Sequence, residues 1–268
     1  MKLSAVAKEL RLITYRAISD SGEGHFGGNL SAIEVITALY FHAMNVCASE
    51  PRMHTRDRLV VSKGHAGPVA YAALAMLNFF PTERLDELNA PGGIYSKHIN
   101  RKVPGVDFSA GALGQGLSVG VGMALGMRIE QMPARVYVLL GDGECDEGQI
   151  WEAAMTAGSY GLTNLTVIVD RNGLQTDGTT EDVVALEPFA DKWESFGFRT
   201  ITVDGHDVDA LCDALDAAKA EQKKPTVIIA NTVKGKGISF MENDHTWHAG
   251  HITKEQYEKG LSDLGVMP

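Results

Sequence analysis

The segment from Arg135 to Gly178 limits the fold of this chain more than any other part of it. It opens with the apolar run Arg135-Val136-Tyr137-Val138-Leu139-Leu140 and turns through Gly141-Asp142-Gly143. A helical pattern follows from Gln149 to Tyr160, and Leu165-Thr166-Val167-Ile168-Val169 then leads into Asp170-Arg171-Asn172. Nearly continuous apolar runs of this length suit strands buried on both faces. A right-handed strand–helix–strand crossover sets the two strands parallel in one sheet. Asp142 and Asn172, 30 positions apart, then both lie just past carboxyl ends of strands, where open α/β sheets bind ligands.

The same alternation runs along the chain. Leu59-Val60-Val61 precedes Ser62-Lys63-Gly64-His65 and an alanine-rich helix from about Pro68 to Asn78. Upstream, a helix is expected from Leu30 to about Ala43. Thr200-Ile201-Thr202-Val203 passes through Asp204-Gly205-His206-Asp207 into a helix ending near Lys223-Lys224, and Pro225 to Ala230 is a further buried strand. Strands alternating with helices imply an α/β fold, a doubly wound and mainly parallel sheet with helices on both faces. No repeat or low-complexity linker divides it, so residues 1–268 read as one domain. Pro81 to Pro104 reads as a long irregular surface excursion, and the chain from His245 onward as a loop and a short helix.

Charge narrows the partners. Lys and Arg number 24 against 34 Asp and Glu, a formal net charge of -10. Nothing in that balance draws in nucleic acid or an anionic membrane, so a phosphate-bearing ligand has to be met by a local set of donors. Cys47, Cys145 and Cys212 are scattered and form no CxxC pair, which argues against a disulfide framework or a structural zinc. The N-terminus has no apolar signal core, and no run approaches the ~18 apolar residues of a membrane span. A soluble, cytoplasmic protein is the expectation.

One carboxylate and one amide oxygen at neighbouring strand ends suit magnesium or calcium, hard cations that share oxygen ligands with phosphates. Gly141 and Gly143 let backbone approach a diphosphate. The plainer reading makes Asp142 and Glu147 helix-capping acids and Asn172 a turn residue. The pairing at crossover spacing favours the metal.

Gly141-Asp142-Gly143-Glu144 through Val169-Asp170-Arg171-Asn172 resembles the thiamine diphosphate motif. Further segments narrow the resemblance to the transketolase family. They are Gly24-His25-Phe26-Gly27-Gly28, Ser62-Lys63-Gly64-His65-Ala66, His98 with Pro104-Gly105-Val106, Gly111-Ala112-Leu113-Gly114-Gln115-Gly116, and Lys234-Gly235-Lys236-Gly237 with Trp247-His248. They run in order over nearly the whole chain. The resemblance covers the diphosphate-binding domain and leaves out the family's pyrimidine-binding and C-terminal domains. It thus implies the N-terminal subunit of a split transketolase, a transferase active only with a partner subunit that carries the pyrimidine-binding domain. By analogy the assembly is a heterotetramer, two copies of each chain.

The resemblance also implies roles. Asp142, Asn172 and the carbonyl of Leu174 would bind Mg2+ or Ca2+. His65, Lys63, Gly143, Asn172, Lys234 and the Gly111-Ala112-Leu113 loop would contact thiamine diphosphate. His25, His98 and His248 would face a sugar phosphate, while Glu147 and Glu152 would reach toward the partner. The implied reaction moves a two-carbon ketol unit from a ketose phosphate to an aldose phosphate.

Taken alone, His25 reads equally as a helix-start donor. Lys63 and His65 follow a buried strand, which favours ligand contact over a surface role, with a solvated loop charge the alternative for Lys63. His98 has the least local support. His245, His248 and His251 are spaced by three, and His248 is chosen because it follows Trp247. His206 reads as a structural turn residue. Gly116, Gly120, Gly122 and Gly126 read as allowing close helix packing, at a subunit contact, rather than as ligand contacts. Cys145 carries no sign of a nucleophile. The rival assignments are a 2-oxo acid dehydrogenase α subunit, a deoxyxylulose-phosphate-synthase-like enzyme, and a non-catalytic binding module that kept the fold.

Overall fold

Three helices precede the first strand: α1 (Leu3–Asp20), α2 (Phe26–Leu30) and α3 (Ile33–Ala38). The structure, a computed structural model, describes residues 2–266, so Met1, Met267 and Pro268 of the expected domain lie outside the described residues. Next come β1 (Arg58–Val61), α4 (Gly67–Met76), α5 (Gln115–Ile129), β2 (Val136–Gly141), α6 (Gly148–Ser159) and β3 (Leu165–Arg171). A two-residue hairpin, β4 (Leu174–Gln175) with β5 (Gly178–Thr179), leads into the short helices α7 (Thr180–Val183) and α8 (Phe189–Ser195). The chain closes through β6 (Arg199–Asp204), α9 (Val208–Ala220), β7 (Thr226–Asn231) and α10 (Lys254–Asp263).

Five strands pair in the order β1-β2-β3-β7-β6, every pair parallel. Side chains alternate across the sheet, as a strand period of two requires. Tyr137 and Leu139 face a core with residues of α1, α3, α4 and α9, whereas Val136, Val138 and Leu140 face one with residues of α5, α6 and α8. The sheet is therefore doubly wound. All five carboxyl ends open on one edge, which gathers Ser62, Asp142, Asn172 and Thr232 there. Among the described residues, no helix is long and apolar enough to cross a membrane.

Two boundaries differ from the sequence reading. The helix expected from Leu30 to Ala43 is broken at Ser31-Ala32 and ends in a π-helical turn, Leu39–Ala43. The break falls where Asn29 and Ser31 turn inward to bond other segments. The helix expected to reach Lys223 stops at Ala220, because Glu221 Oε1 accepts the amides of Gln222 and Lys223 at 3.0 and 2.7 Å. Its start follows the expected Asp-Gly-His-Asp turn: Asp207 caps it, accepting from Asp209 and Ala210.

Candidate cofactor and substrate cleft

β2 and β3 are paired neighbours, with Gly141 opposite Asp170, so Asp142 and Asn172 follow adjacent strand ends. Asp142 is 2% exposed and Asn172 9%. The Asp142 carboxylate accepts amide hydrogens from Gly143 at 2.8 Å and Gly173 at 2.6 Å, with Arg171 at 3.4 Å. Burial, reinforced by the nearby Asp170 charge, pushes its carboxyl above the usual range. That excess of negative character at a closed edge is what a cation relieves. Asn172 Oδ1 accepts from the Leu174 amide at 3.1 Å, and the Leu174 carbonyl accepts from Lys234 Nζ at 2.9 Å. The three oxygens expected to hold a metal thus share one edge, and an ammonium already stands on one of them.

Lys63 is corrected. It is 1% exposed and not a solvated charge: its ammonium is spent on the Asp170 carboxylate and on the Gly28 carbonyl at 2.9 Å. Lys63 lines the cleft, but its charge serves the floor. Asp170, fully buried, also accepts from Ser31 at 2.6 Å, from Asn172 at 3.2 Å and from Thr232. Burial alone would raise its pKa, but the Lys63 charge and the bonds from Lys63, Ser31 and Thr232 prevail and hold it below the usual range.

A second buried carboxylate, Glu144, ties the glycine-rich loop to β2. It accepts from Ser62 at 2.5 Å, from the Gly114 amide at 2.9 Å and from the Gly141 amide at 3.0 Å. Gly111, Ala112 and Leu113, just ahead of that anchor, are exposed. Leu113 reaches the cleft, a volume of about 120 Å³ that also takes in Gly143, Gln175 and Lys234. Gly28 leaves little room for a side chain, since a Cβ there would stand 3.0 Å from His65 Nε2 and 3.2 Å from Lys63 Nζ.

Four histidines from distant parts of the chain converge. Ring centroids of His25 lie 5.2 Å from His65, 5.4 Å from His98 and 5.5 Å from His248, and His65 lies 5.0 Å from His248. An isolated bridge between Gly24 and Gly250 fastens the first histidine turn to the last segment. His98, the least supported by its own sequence, is held by its carbonyl, which accepts from Ser96 at 2.7 Å and Tyr71 at 3.1 Å. Of the three spaced histidines, His248 joins the cluster and reaches Lys234 Nζ at 3.3 Å. His251 instead bonds the Gly22 carbonyl at 2.5 Å. His206 is structural: Nδ1 meets Glu34 at 2.9 Å and Nε2 accepts from the Val233 amide at 2.8 Å.

All four cluster histidines are neutral at neutral pH. Burial, then the charges of His98 and Lys97, brings His25 down to about 4. Burial, then Lys234, brings His248 to about 3. Burial lowers His65 well below the ordinary value, with help from Lys63, and lowers His98 with help from Lys97. A neutral imidazole offers one donor and one acceptor, which suits proton exchange with hydroxyl groups. His25 Nδ1 is buried without a partner, as is Gln175 Oε1 on the cleft wall. Lys234 is depressed to about 8, by burial first and the Lys63 charge second.

Glu147 and Glu152 are exposed at the start of α6 and make no ion pair with any described residue. Cys145 is fully buried, and burial pushes its thiol far up, so it is no nucleophile. The glycines of α5 divide. A Cβ on Gly116 or Gly120 would stand 2.4 Å from Ser62 or Val138, so these two pack on β2 and the turn after β1, not on another helix, while Gly122 and Gly126 face open space.

Residues 3–268 match the profile of a family described as transketolase, thiamine diphosphate binding domain. The chain belongs to the transketolase family. It is 45% identical over 259 residues to the 6-deoxy-6-sulfo-D-fructose transketolase subunit of Clostridium sp. (strain MSTE9), covering 96% of this chain and 94% of that one. It is 43% identical over 257 residues to an apulose-4-phosphate transketolase subunit of Phocaeicola vulgatus, covering 96% and 90%. Against the transketolase of Mus musculus, 38% identity over 263 residues covers 98% of this chain but 42% of the other. Among solved structures, Campylobacter jejuni transketolase superimposes with a TM-score of 0.93 at 29% identity, over 99% of this chain and 43% of its own. This chain therefore spans about two fifths of a long transketolase and nearly all of the relatives named as subunits. Its class is that of a transketolase-type transferase, and the subunit names of those relatives fit dependence on a partner.

Proposed function

We propose that this chain is the N-terminal, cofactor-binding subunit of a two-chain transketolase, folded as one domain. The second polypeptide supplies the pyrimidine-binding domain, and the assembly holds two copies of each chain. The observation that carries the reading is the shared cleft. Asp142, Asn172 and the Leu174 carbonyl stand at one sheet edge, and His65 and His248, two of the four clustered neutral histidines, line the same cleft.

The donor set fits a metal-bound diphosphate. Among the described residues, no group of three or more His, Cys, Asp and Glu could hold an ion. A cation here would draw on one carboxylate, one amide oxygen and one carbonyl, and complete its shell with phosphoryl oxygens, as Mg2+ or Ca2+ does. Lys234, His65, Gly143 and the Gly111-Ala112-Leu113 loop would hold the cofactor, with Lys63 fixing the floor from below. When bound, thiamine diphosphate supplies the carbon–carbon bond chemistry, storing the two-carbon ketol unit between a ketose phosphate and an aldose phosphate.

The protein's part is orientation and proton movement. His248 lines the cleft, His25 packs against it and His98 against His25; the three would exchange protons with sugar hydroxyls, and their neutrality lets each give and take one. Asp142 and Asn172 anchor the charged tail of the cofactor, and Glu147 and Glu152 meet the partner on the exposed start of α6. The test is assay of the chain alone and with its co-expressed partner on a panel of ketose and aldose phosphates. Turnover requires both chains, the cofactor and a divalent metal. Full activity of the purified chain alone would refute the split, and a complex that binds cofactor but turns over no sugar phosphate would refute catalysis.

A further inference from the structure

The amino end of β1 carries a second concentration of charge, on the sheet edge opposite the cleft. Arg52, Arg56, Arg58, Arg101 and Lys102 line an open groove of about 410 Å³, in which Asp107 is the one carboxylate. A neighbouring recess of about 280 Å³, walled by Pro51 and Pro104, shares four of these cations. Five cations around one carboxylate are out of keeping with a chain whose balance is -10.

The floor of the groove is built. Arg56 and Asp107, with side chains 7% and 5% exposed, pair at 2.5 and 3.1 Å. Arg58 Nε adds a contact to Asp107 at 3.4 Å, and the Leu59 amide donates to the same carboxylate at 3.0 Å. The other nearby carboxylate, Asp57, accepts from the amides of Asn45 and Arg135 at 2.8 and 2.7 Å. It forms no ion pair with these arginines. Asp107 is thereby saturated while two guanidinium groups are fixed. At the mouth, Arg52, Arg101 and Lys102 are exposed and ion-paired to no described residue.

We propose that this groove binds a small phosphate monoester dianion, with Arg52, Arg101 and Lys102 closing on it above the Arg56–Arg58 floor. Guanidinium forks match the geometry of phosphoryl oxygens and hold their charge at every working pH. The cations are confined to one concavity and do not form a stripe. The net negative charge of the chain opposes a long polyanion, so a small ligand fits better than nucleic acid or an acidic protein surface.

The groove is connected to the cleft through one stretch of chain. Residues 101–106 line it, and that stretch is bounded by His98 on one side and by Gly111, Ala112 and Leu113 on the other. Its ends are pinned, by the Ile99 amide on the Gly64 carbonyl at 2.8 Å and the Arg101 amide on Ser109 Oγ at 2.8 Å. An anion bridging Arg101 and Lys102 to the floor orders the segment that delivers residues to the cleft from both ends. The site itself does not depend on the transketolase reading.

The test is calorimetric titration of the full chain with inorganic phosphate and, separately, with glycerol 3-phosphate. Three proteins are compared: the unmodified chain, Asp142→Ala, which removes the metal anchor of the cleft, and the double variant Arg101→Ala/Lys102→Ala. Both substituted groove residues are exposed, and an unchanged melting temperature confirms the fold. Saturable binding is expected to survive in Asp142→Ala and to weaken roughly tenfold or more in the double variant. Equal affinity in the double variant, loss in Asp142→Ala alone, or no saturation by either phosphate would overturn the proposal. So would binding of an acidic peptide where neither phosphate binds.

Discussion

Lys63 and Asp170 meet beneath the cleft with side chains 2% and 0% exposed, a contact between an ammonium and a carboxylate in near-complete isolation from water. Every other group that touches Asp170 is a neutral donor, so Lys63 is its one ion-pair partner among the described residues. Removing one partner of such a pair leaves an uncompensated buried charge, at a cost of about 3–5 kcal/mol. Lys63→Met should lower unfolding free energy by that amount in urea titrations. Adding Asp170→Asn to it should recover most of the loss. A single variant as stable as the parent would show that Asp170 is neutral in the fold.

Asp142 is the sole carboxylate among the three proposed metal oxygens, so its removal should act on binding more than on folding. The Gly143 and Gly173 amides bond different oxygens of that carboxylate, so Asp142→Asn keeps one of the two bonds and sets its amide nitrogen against the other donor. Calorimetry with thiamine diphosphate and Mg2+ should show affinity weakened at least about 100-fold in Asp142→Ala, by analogy with losses on disturbing metal sites. The part of the affinity that depends on Mg2+ should vanish. Equal binding with and without metal in the unmodified protein would remove Asp142 from the site.

What could be read in the sequence was whatever local pattern encodes. Buried strands, glycine turns and the Asp142–Asn172 pairing follow from apolar runs at crossover spacing, and the sheet bears out that reasoning. The role of Lys63 was not legible, because a charge after a strand looks the same whether its partner lies in solvent or 107 residues away. Asp170 did leave a signal. A carboxylate that closes a run of apolar strand residues has to be paired, and that inference was open. Ser31 and Asn29 broke a helix through bonds to distant segments, which no local periodicity registers. His98 has no strand or helix to place it, and only the fold brings it within 5.4 Å of His25.

The glycines of α5 give a paired test of packing. Gly116→Ala or Gly120→Ala drives a methyl to 2.4 Å from Ser62 or Val138 and should destabilise by about 1–3 kcal/mol. Gly126→Ala meets nothing and should stabilise the isolated chain by roughly 0.5–1 kcal/mol through helix propensity. Thermal unfolding of the three variants separates them. Similar melting temperatures would mean that α5 shifts freely on the sheet.

The histidine cluster predicts how stability depends on pH. An unfolded histidine takes up its proton near pH 6.5, whereas His25 and His248 in the fold wait until about 4 and about 3. Between those values the unfolded state binds more protons. Stability is therefore complete above pH 6.5 and falls as pH drops through the folded values. Melting temperatures between pH 7.5 and 4.5 should decline less steeply for His25→Asn/His248→Asn than for the parent. Parallel declines would place the proton uptake elsewhere.

Lys234 carries the last prediction, because it is the ammonium nearest the proposed diphosphate seat. Its Nζ donates to the Leu174 carbonyl at 2.9 Å, and burial with the Lys63 charge lowers its pKa to about 8. Without a bound anion the fold sheds this proton around pH 8, well below the ordinary lysine range. A bound diphosphate favours the charged form and raises the pKa again. Binding of thiamine diphosphate at pH 9 should therefore take up about one proton, while binding at pH 7 takes up almost none. Titration calorimetry in buffers of different ionisation enthalpy measures that number directly. Lys234→Met should abolish the uptake and leave affinity flat across pH 7 to 9. An equal uptake in that variant would assign the proton to another group and free Lys234 from contact with the diphosphate.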